Sequence, residues 1–509
     1  IPLLSFAAPK MLDANRRVSQ VLSTVVPFGA PWAKQMTSYS APTTSLHPAR
    51  VSSKLPDRFI TEASIAFYAT NRTGLLRAVS SMDMVISAVE TAYSDSPSQS
   101  IDEVNMTHAL VYAFVAFCSL AGHSQERNYP VDGKGLALEA RRLLPIAGRS
   151  PSSPKSLQVW LLLVNAKQAL CHCVLGELLE AWETFGTIAS QLTELAIKCH
   201  FFESSSESLP PEPDAENEHR FVLRDLLWIS LMVDNEIFLR TGQPPLILAK
   251  LAATILPCDY ESSPQFLASF LPPRTADPRA DVYIYMADLT LHVSRLYISL
   301  YAPEAFAKSS IELLQTIISL DNQLEEWRLS IPKPFRPTIH VFKLPTHSLC
   351  DIDLLLLNLK FHHTLGCIHQ VVHRCQSWAG ETASSRDALE SSLSISLQAS
   401  VSSLELLRAT KLALNPEMFW FLCFYLLSAH LNLFCRIVAN PLDCESRSHL
   451  QILRASPVSL RRIDTRHLTR AEVEHLSVLV EFCTDLVTRA EREVAGASLV
   501  EEGRVNEAE

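Results

Sequence analysis

The sequence predicts an all-α protein built from packed helix pairs. Only 13 of the 509 residues are glycine, and long runs rich in Leu, Ala and Ser leave few segments with the polar–apolar alternation of half-buried strands. Apolar residues recur instead at the three- and four-residue steps of a helix. Hydrophobic residues make up 48% of the chain and charged residues 19%, which excludes a disordered chain and allows large buried cores.

The first elements follow a polar leader. Residues 1–54 carry clusters of Pro, Ser and Thr and predict a flexible leader or linker, after which residues 55–440 predict one large helical region. Within this region, Glu203–Glu218 holds six acidic residues and three prolines and predicts a solvated loop. Gly380–Ser392 is polar and also predicts a loop. Because the chain begins with Ile rather than Met, we expect it to be part of a longer protein.

The stretch Phe221–Pro245 predicts one helix with a defined end. Leu227, Leu231 and Phe238 lie on one helical stripe, and Trp228 lies beside them. Gly242 follows the last turn, where a left-handed cap is favoured, and Pro244 prevents the helix from continuing. Arg224 and Asp234 are ten residues apart on this helix, too far to pair with each other. We expect each of them to reach another element.

Three further segments carry recognisable patterns in order along the chain. Ser156–His200 predicts two paired helices. Leu320–Pro332 combines a Leu-Asp pair, the Leu-Glu-x-Trp pattern that contains Trp327, and a closing Pro. Leu357–Arg374 predicts a helix with Phe361-His362 near its start and His373-Arg374 near its end.

Together these four segments resemble the middle homology region of fungal zinc binuclear cluster transcription factors. The resemblance covers residues 55–440. This chain has Asp234-Asn235 where the family usually has Asp-Arg, and Gly242-Gln243-Pro244 where it usually has Gly-Arg-Pro. The resemblance implies a regulatory domain of a nuclear protein that controls RNA polymerase II transcription. It assigns the structural signature to the following residues: Arg224, Trp228, Asp234, Gly242, Pro244 and Trp327.

The family resemblance also implies a cluster of six cysteines that binds two zinc ions. In this chain the first cysteine is Cys118, inside the helical region, and there is no Cys-x2-Cys pair. We therefore expect no metal or cofactor in these residues, and expect DNA binding through a zinc module upstream of Ile1. The twelve scattered cysteines favour free, buried thiols. The net charge of −10 argues against a broad nucleic-acid surface in this chain.

Two apolar or histidine-bearing helices have alternative interpretations. Met418–Val438 is long enough to span a membrane, but His430, Asn432 and Arg436 in its second half favour a buried core helix. His369 and His373 have the four-residue spacing of a metal pair, but without an evident third ligand we predict ordinary packing.

The chain ends with two distinct segments. Residues 441–470 contain six arginines against three acids and predict a solvated, Arg-containing insert. Residues 471–509 predict an amphipathic helix with a polar, mobile tail from Gly496.

The sequence carries no nucleophile elbow, phosphate loop or zinc-protease motif, so we predict that it is not an enzyme. The resemblance implies further partners: transcription machinery or co-regulators, a small-molecule inducer and a second copy of the chain, but no membrane. Two alternatives stay open. One is a helical-repeat-like adaptor without DNA binding, since stacked helix pairs can form a solenoid. The other is a helical enzyme, which needs a pocket with convergent ionised side chains.

Overall fold

The computed structural model confirms the all-α prediction. The described part of the chain consists of helices and their connections, without strands. It comprises residues 55–70, 82–94, 101–119, 131–147, 156–159, 161–162, 185–186, 188–194, 218–241, 244–247, 279–340, 352–375, 383–410, 416–465 and 470–508. The chain divides into two compact units whose border falls between Ile284 and Tyr285. The domain limits predicted at residues 54, 440 and 470 stay predictions.

Four helices build the first core. They are α1 (Arg58–Thr70), α2 (Met82–Ala92), α3 (Ile101–Cys118) and α4 (Gly133–Ala147). Helix α3 is the centre of this core, because it is buried continuously from Ala109 to Cys118 and packs against the other three. Tyr68 of α1 meets Phe114 edge to face, with ring centroids 5.8 Å apart. A helix segment buried on all faces needs apolar residues all round, and the segment from Ala109 to Cys118 meets this need.

Asp132 caps the start of α4. Its Oδ1 accepts the backbone N–H of Gly135 at 2.9 Å, as an N-terminal capping residue does. A β-carbon at Gly135 would collide with this carboxylate, so a close approach explains that glycine. The Gly133-Lys-Gly135 sequence therefore serves a helix start.

Helix α5 (Glu218–Thr241) is the predicted signature helix. It begins three residues before Phe221 and ends directly before Gly242, as the end signals predicted. Nearly every described side chain from Leu226 to Leu239 is buried. Of the predicted pair at 156–200, only short helical pieces at 156–159, 161–162, 185–186 and 188–194 belong to the described residues.

Helix α6 (Arg279–Leu296) leads into an irregular connection and then α7 (Ser310–Ser330). The connection is a π-helical turn at Tyr297–Tyr301 followed by a 3-10 turn at Pro303–Ala307. Helix α7 begins with a capping box, in which Ser309 and Glu312 each bond the other's backbone N–H. Its buried stripe has helical spacing: Leu313, Ile317, Leu320, Leu324 and Trp327.

The remaining helices form a second packed layer. They are α8 (Ile352–Gln370), α9 (Ala383–Ala409), α10 (Pro416–Ala439), α11 (Ser446–Arg461) and α12 (Arg470–Ala508). Helix α8 packs against α7, α9 and α10, while α12 packs against α10 and α11. The helical pairing predicted from the sequence is therefore present throughout this layer.

Three local expectations were wrong. The polar segment Gly380–Ser392 is not wholly a loop, because α9 begins at Ala383. Residues 441–470 are not simply a solvated insert, since α11 buries Leu450, Leu453 and Leu460. The terminal helix does not stop near Gly496 but continues to Ala508. In the first two cases, tertiary packing of a few apolar or small residues outweighs a polar composition.

Candidate functional site

Asp234 on α5 holds the chain segment that follows the helix. Its Oδ1 accepts the backbone N–H of Leu246 at 3.0 Å, and its Oδ2 accepts that of Ile247 at 2.7 Å. The side chain is 1% exposed. Burial raises the pKa of Asp234 from 3.8 to about 7, although the two backbone bonds act to lower it. This carboxyl therefore fastens the turn after Thr241, and we call the arrangement the Asp234 clasp.

Several of the other predicted signature residues lie outside the part of the chain that the structure describes. Gly242 and the side chains of Arg224 and Trp228 lie outside the described residues, and Pro244 is exposed in the fastened segment. Trp327 lies on α7, in the other unit, and has its own partners. Its structural role and that of the other signature residues stay predictions.

Trp327 belongs to a ladder of rings between α6, α7 and α8. Its ring centroid lies 5.9 Å from His292 and 6.3 Å from Phe361, and Phe361 lies 5.9 Å from His362. The indole is 7% exposed, and its Nε1 meets no acceptor among the described residues. Trp327 therefore contributes apolar packing rather than a hydrogen bond.

A row of polar side chains runs through the interface of α8, α9 and α10, and we call it the polar seam. It is formed by His362, His363 and His369 of α8, by Ser392, Ser396, Ser400 and Ser403 of α9, and by Ser428 and Asn432 of α10. The prediction from sequence missed the serines. Their spacing of three or four residues, which places them on one face of a helix, is the signal that could have identified them.

His362 is the best-defined member of the polar seam. Its Nε2 lies 2.9 Å from the carbonyl oxygen of Thr338, and its Nδ1 lies 3.2 Å from the Ser403 hydroxyl. Because a carbonyl only accepts, Nε2 carries the proton and Nδ1 is the acceptor. Burial lowers the pKa of His362 to about 4, so the ring is neutral at pH 7.

His363 lines a small cavity between the same three helices. The cavity has a volume of about 20 Å³, enough for about one water molecule. Ser428 Oγ lies 3.4 Å from Nδ1 of His363, whose Nε2 has no partner among the described residues. Burial lowers the pKa of His363 to about 3. In this form the cavity is too small for a cofactor.

His369 joins three helices and has the residue types of a hydrolytic relay. Its Nδ1 lies 2.8 Å from Ser392 Oγ on α9, and its Nε2 lies 3.4 Å from Asp321 Oδ1 on α7. Ser392 is 6% exposed and sits inside α9, where the helix uses its backbone N–H. A serine nucleophile needs an accessible Oγ and nearby donors for an oxyanion. The arrangement therefore fits helix packing better than catalysis.

Arg374 fastens the irregular connection between α6 and α7. Its guanidinium donates to the carbonyl oxygens of Leu300 at 2.7 Å and Ala305 at 2.6 Å, and lies 4.4 Å from the ring centre of Phe306. The planar fork of arginine suits two acceptors in this way. Tyr301 adds a bond from its hydroxyl to the carbonyl of Cys367 at 2.7 Å. His373-Arg374, singled out by pattern, thus lies at a structural junction.

Helix α10 contains an 18-residue window, Leu422–Ala439, that is long and apolar enough to cross a membrane. In the structure, 78% of this window is buried inside the protein. His430 is fully buried there, and burial lowers its pKa to about 4 against the opposing effect of the Cys483 backbone. Burial of this extent is typical of a core helix.

Among the described residues, no group of three or more His, Cys, Asp or Glu side chains is placed to hold a metal ion. The Nδ1 atom of His369 contacts Ser392 in the polar seam, and its Nε2 atom lies 3.4 Å from Asp321 on α7. The zinc module expected from the family resemblance stays a prediction.

Comparison with known proteins relates the chain to fungal transcription factors. It is 25% identical over 237 residues to an "ABC-transporter-regulating transcription factor" of Aspergillus fumigatus, and equally so to one of the same name from Aspergillus oryzae. The match covers 45% of this chain and 26% of each relative, so the chain spans about a quarter of their length. No family profile and no solved structure matches the chain. The similarity supports a role in transcription regulation.

Proposed function

We propose that this chain is the helical regulatory region of a fungal transcription factor. The observation that carries the proposal is the similarity to two fungal transcription factors over 237 residues. The all-α fold agrees with it. The Asp234 clasp holds the segment after α5, and the polar seam joins α8, α9 and α10, so both arrangements have structural roles that suit a regulatory domain.

The finer parts of the proposal come from the family resemblance. The full protein acts in the nucleus on RNA polymerase II genes and binds DNA through a zinc cluster encoded outside these residues. Co-regulators, a small-molecule inducer and a second copy of the chain are its expected partners. The cavity beside His363 admits only about one water, so an inducer would need another site or a local opening of α8, α9 and α10.

The test begins with the full transcript and the tagged native protein. We expect the coding sequence ahead of Ile1 to contain a basic segment with six cysteines. We also expect the tagged protein to be enriched on chromatin in the nucleus, and the enrichment to disappear when one of those cysteines is changed to alanine. Transcripts of ABC-transporter genes are the first to measure after gene deletion, because both relatives are named for regulating them.

The matched control is a Leu329→Ala variant, which changes a side chain that is 49% exposed and leaves the cysteine segment intact. It should retain chromatin enrichment. A nuclear protein whose chromatin enrichment does not respond to the cysteine change would contradict the DNA-binding part of the proposal.

A helical adaptor without its own DNA contact is the second candidate. The net charge of −10 favours it, because an acidic chain binds nucleic acid poorly. A complete coding sequence without a cysteine-rich segment, together with chromatin enrichment that depends on another protein, would support the adaptor instead.

A further inference from the structure

Helix α11 presents two different faces. The inner face is buried against α9, α10 and α12 through Leu450, Leu453 and Leu460. The outer face carries the exposed residues Arg447, Arg454 and Arg461, and the exposed Arg462 follows directly after the helix; we call these four residues the arginine stripe. Because buried leucines hold the helix in place, the outer face is presented in a fixed orientation.

The arginines are regularly spaced. Arg447, Arg454 and Arg461 follow one another at seven-residue intervals, so they lie nearly in line along the helix. Seven residues of α-helix rise about 10.5 Å, and the three guanidinium stems therefore span about 21 Å. This length matches about six base-pair steps of a DNA duplex, at about 3.4 Å per step.

Among the described residues, only one arginine of the stripe pairs with a carboxylate. Helix α11 contains no Asp or Glu. Arg454 bonds Glu491 of α12 at 2.6 Å, but Arg447, Arg461 and Arg462 form no ion pair with the part of the chain that the structure describes. Two acids precede the helix: Glu445, directly before it, lies 3.8 Å from His449, and Asp443 bonds Arg436 at 3.1 Å.

The chemistry of the stripe fits a phosphate backbone better than a peptide. Guanidinium groups bind phosphate oxygens in a two-pronged manner and are held there by charge. A peptide partner would need an apolar anchor surface, and the stripe offers one exposed apolar side chain, Val458. A phosphate backbone needs none.

We propose that the arginine stripe of α11 is a docking surface for the phosphate backbone of duplex DNA. The choice of DNA as the polyanion rests on the proposed function, whereas the surface itself rests on geometry and charge. The net charge of −10 keeps the remainder of the chain from binding DNA broadly. The stripe would therefore give a weak, sequence-independent contact that adds to a separate sequence-reading module.

The test uses the full 509-residue chain and a fluorescently labelled duplex of about 20 base pairs with arbitrary sequence, measured by anisotropy from 50 to 200 mM salt. We expect binding whose affinity falls steeply with salt. Changing Arg447, Arg461 and Arg462 together to Gln should reduce the slope of log affinity against log salt by about 2.7, since each lost phosphate contact removes about 0.9. Arg447→Gln alone should reduce the slope by about one third of that amount.

The matched control changes three exposed basic residues elsewhere, Arg141, Lys333 and Arg408, to Gln. It alters the net charge equally and should leave the slope within experimental error of the wild type. Thermal unfolding of all variants checks that α11 is intact, and glutamine preserves helix propensity there.

Three outcomes would overturn the proposal: no binding of the duplex at 50 mM salt, equal losses in stripe and control variants, or stripe variants that bind like the wild type. A glutamate-rich peptide serves as the second probe. If the peptide binds through the stripe and the duplex does not, the surface is an acidic-peptide site and the DNA proposal fails. A protein absent from chromatin in cells that still binds the duplex through the stripe would contradict the proposed function alone.

Discussion

Helices α5 and α8 both bury ionisable side chains, but they accommodate them in opposite ways. On α5, Asp234 bonds two backbone N–H groups only 12 and 13 residues further along the chain. On α8, His362 bonds partners 24 and 41 residues away, on other elements. Burial raises the pKa of the acid and lowers that of the histidine, because it disfavours the charged form of each. A local clasp on α5 and a long-range seam on α8 thus both supply hydrogen bonds to a buried ionisable side chain.

The difference also concerns what each arrangement protects. The Asp234 clasp holds one short segment after a helix end, so its loss should loosen that segment first. The polar seam joins three helices. Apolar neighbours such as Phe361 and Trp327 also stabilise this region, so the loss of one seam residue should have a smaller effect. The following predictions test this contrast, beginning with the largest effect.

Trp327→Ala should destabilise the α7–α8 region most. Removing a buried large aromatic side chain typically costs about 3–5 kcal/mol, and Trp327 is 7% exposed. Urea unfolding measures the change in the free energy of unfolding. Leu329→Ala on the same helix is the control, because Leu329 is 49% exposed. A Trp327 effect no larger than that of Leu329 would show that the aromatic ladder does not hold this region.

Asp234→Ala should cost about 2–4 kcal/mol, because the buried N–H of Ile247 loses its acceptor at a cost of about 1–3 kcal/mol and the half-buried N–H of Leu246 at a cost of about 1 kcal/mol. The more specific readout is hydrogen exchange: the amides of Leu246 and Ile247 should lose protection before the rest of α5. Glu90→Ala, an exposed acid in the same unit, is the control. Unchanged protection at both amides would refute the clasp.

The pH dependence of stability should have opposite signs in the two regions. The pKa of Asp234 is raised in the folded state, so its contribution is complete below the unfolded value of 3.8 and is lost as pH rises towards 7. The pKa of His362 is lowered to about 4, so its contribution is complete above 6.5 and is lost as pH falls towards 4. Each proton can contribute a slope of at most about 1.4 kcal/mol per pH unit.

Unfolding of the wild type, Asp234→Asn and His362→Gln between pH 4 and 7 measures these slopes by difference. Relative to Asp234→Asn, the wild type should lose stability as pH rises. Relative to His362→Gln, it should gain stability over the same range. Two differences of the same sign would refute the comparison between α5 and α8.

Ser428→Ala should have the smallest effect, within about 1 kcal/mol. The hydroxyl lies 3.4 Å from Nδ1 of His363, which is a long hydrogen bond in a cavity with room for about one water. Ser428→Val should fill the cavity and cost more, because added volume crowds His363 and Tyr425. If Ser428→Ala cost as much as Asp234→Ala, the bond to His363 would matter far more than its length indicates.

The sequence predicted helices well and their internal polar contacts poorly. The end of α5 at Thr241 follows from Gly242 and Pro244, whose effects act within a few residues. The polar composition of Gly380–Ser392 predicts a loop, although Ser392 lies within α9. Serine is a weak helix former in isolation, and α9 is stable because its small side chains allow α8 and α10 to approach closely.

Local chemistry was enough to specify the all-α class and the end of α5 at Thr241. The reason is that helix periodicity and capping involve residues only a few positions apart. The partner of Asp234, the pairing of His362 with Thr338 and Ser403, and the raised or lowered pKa values depend on groups brought together from distant positions. Burial, which sets those pKa values, exists only once the helices have packed.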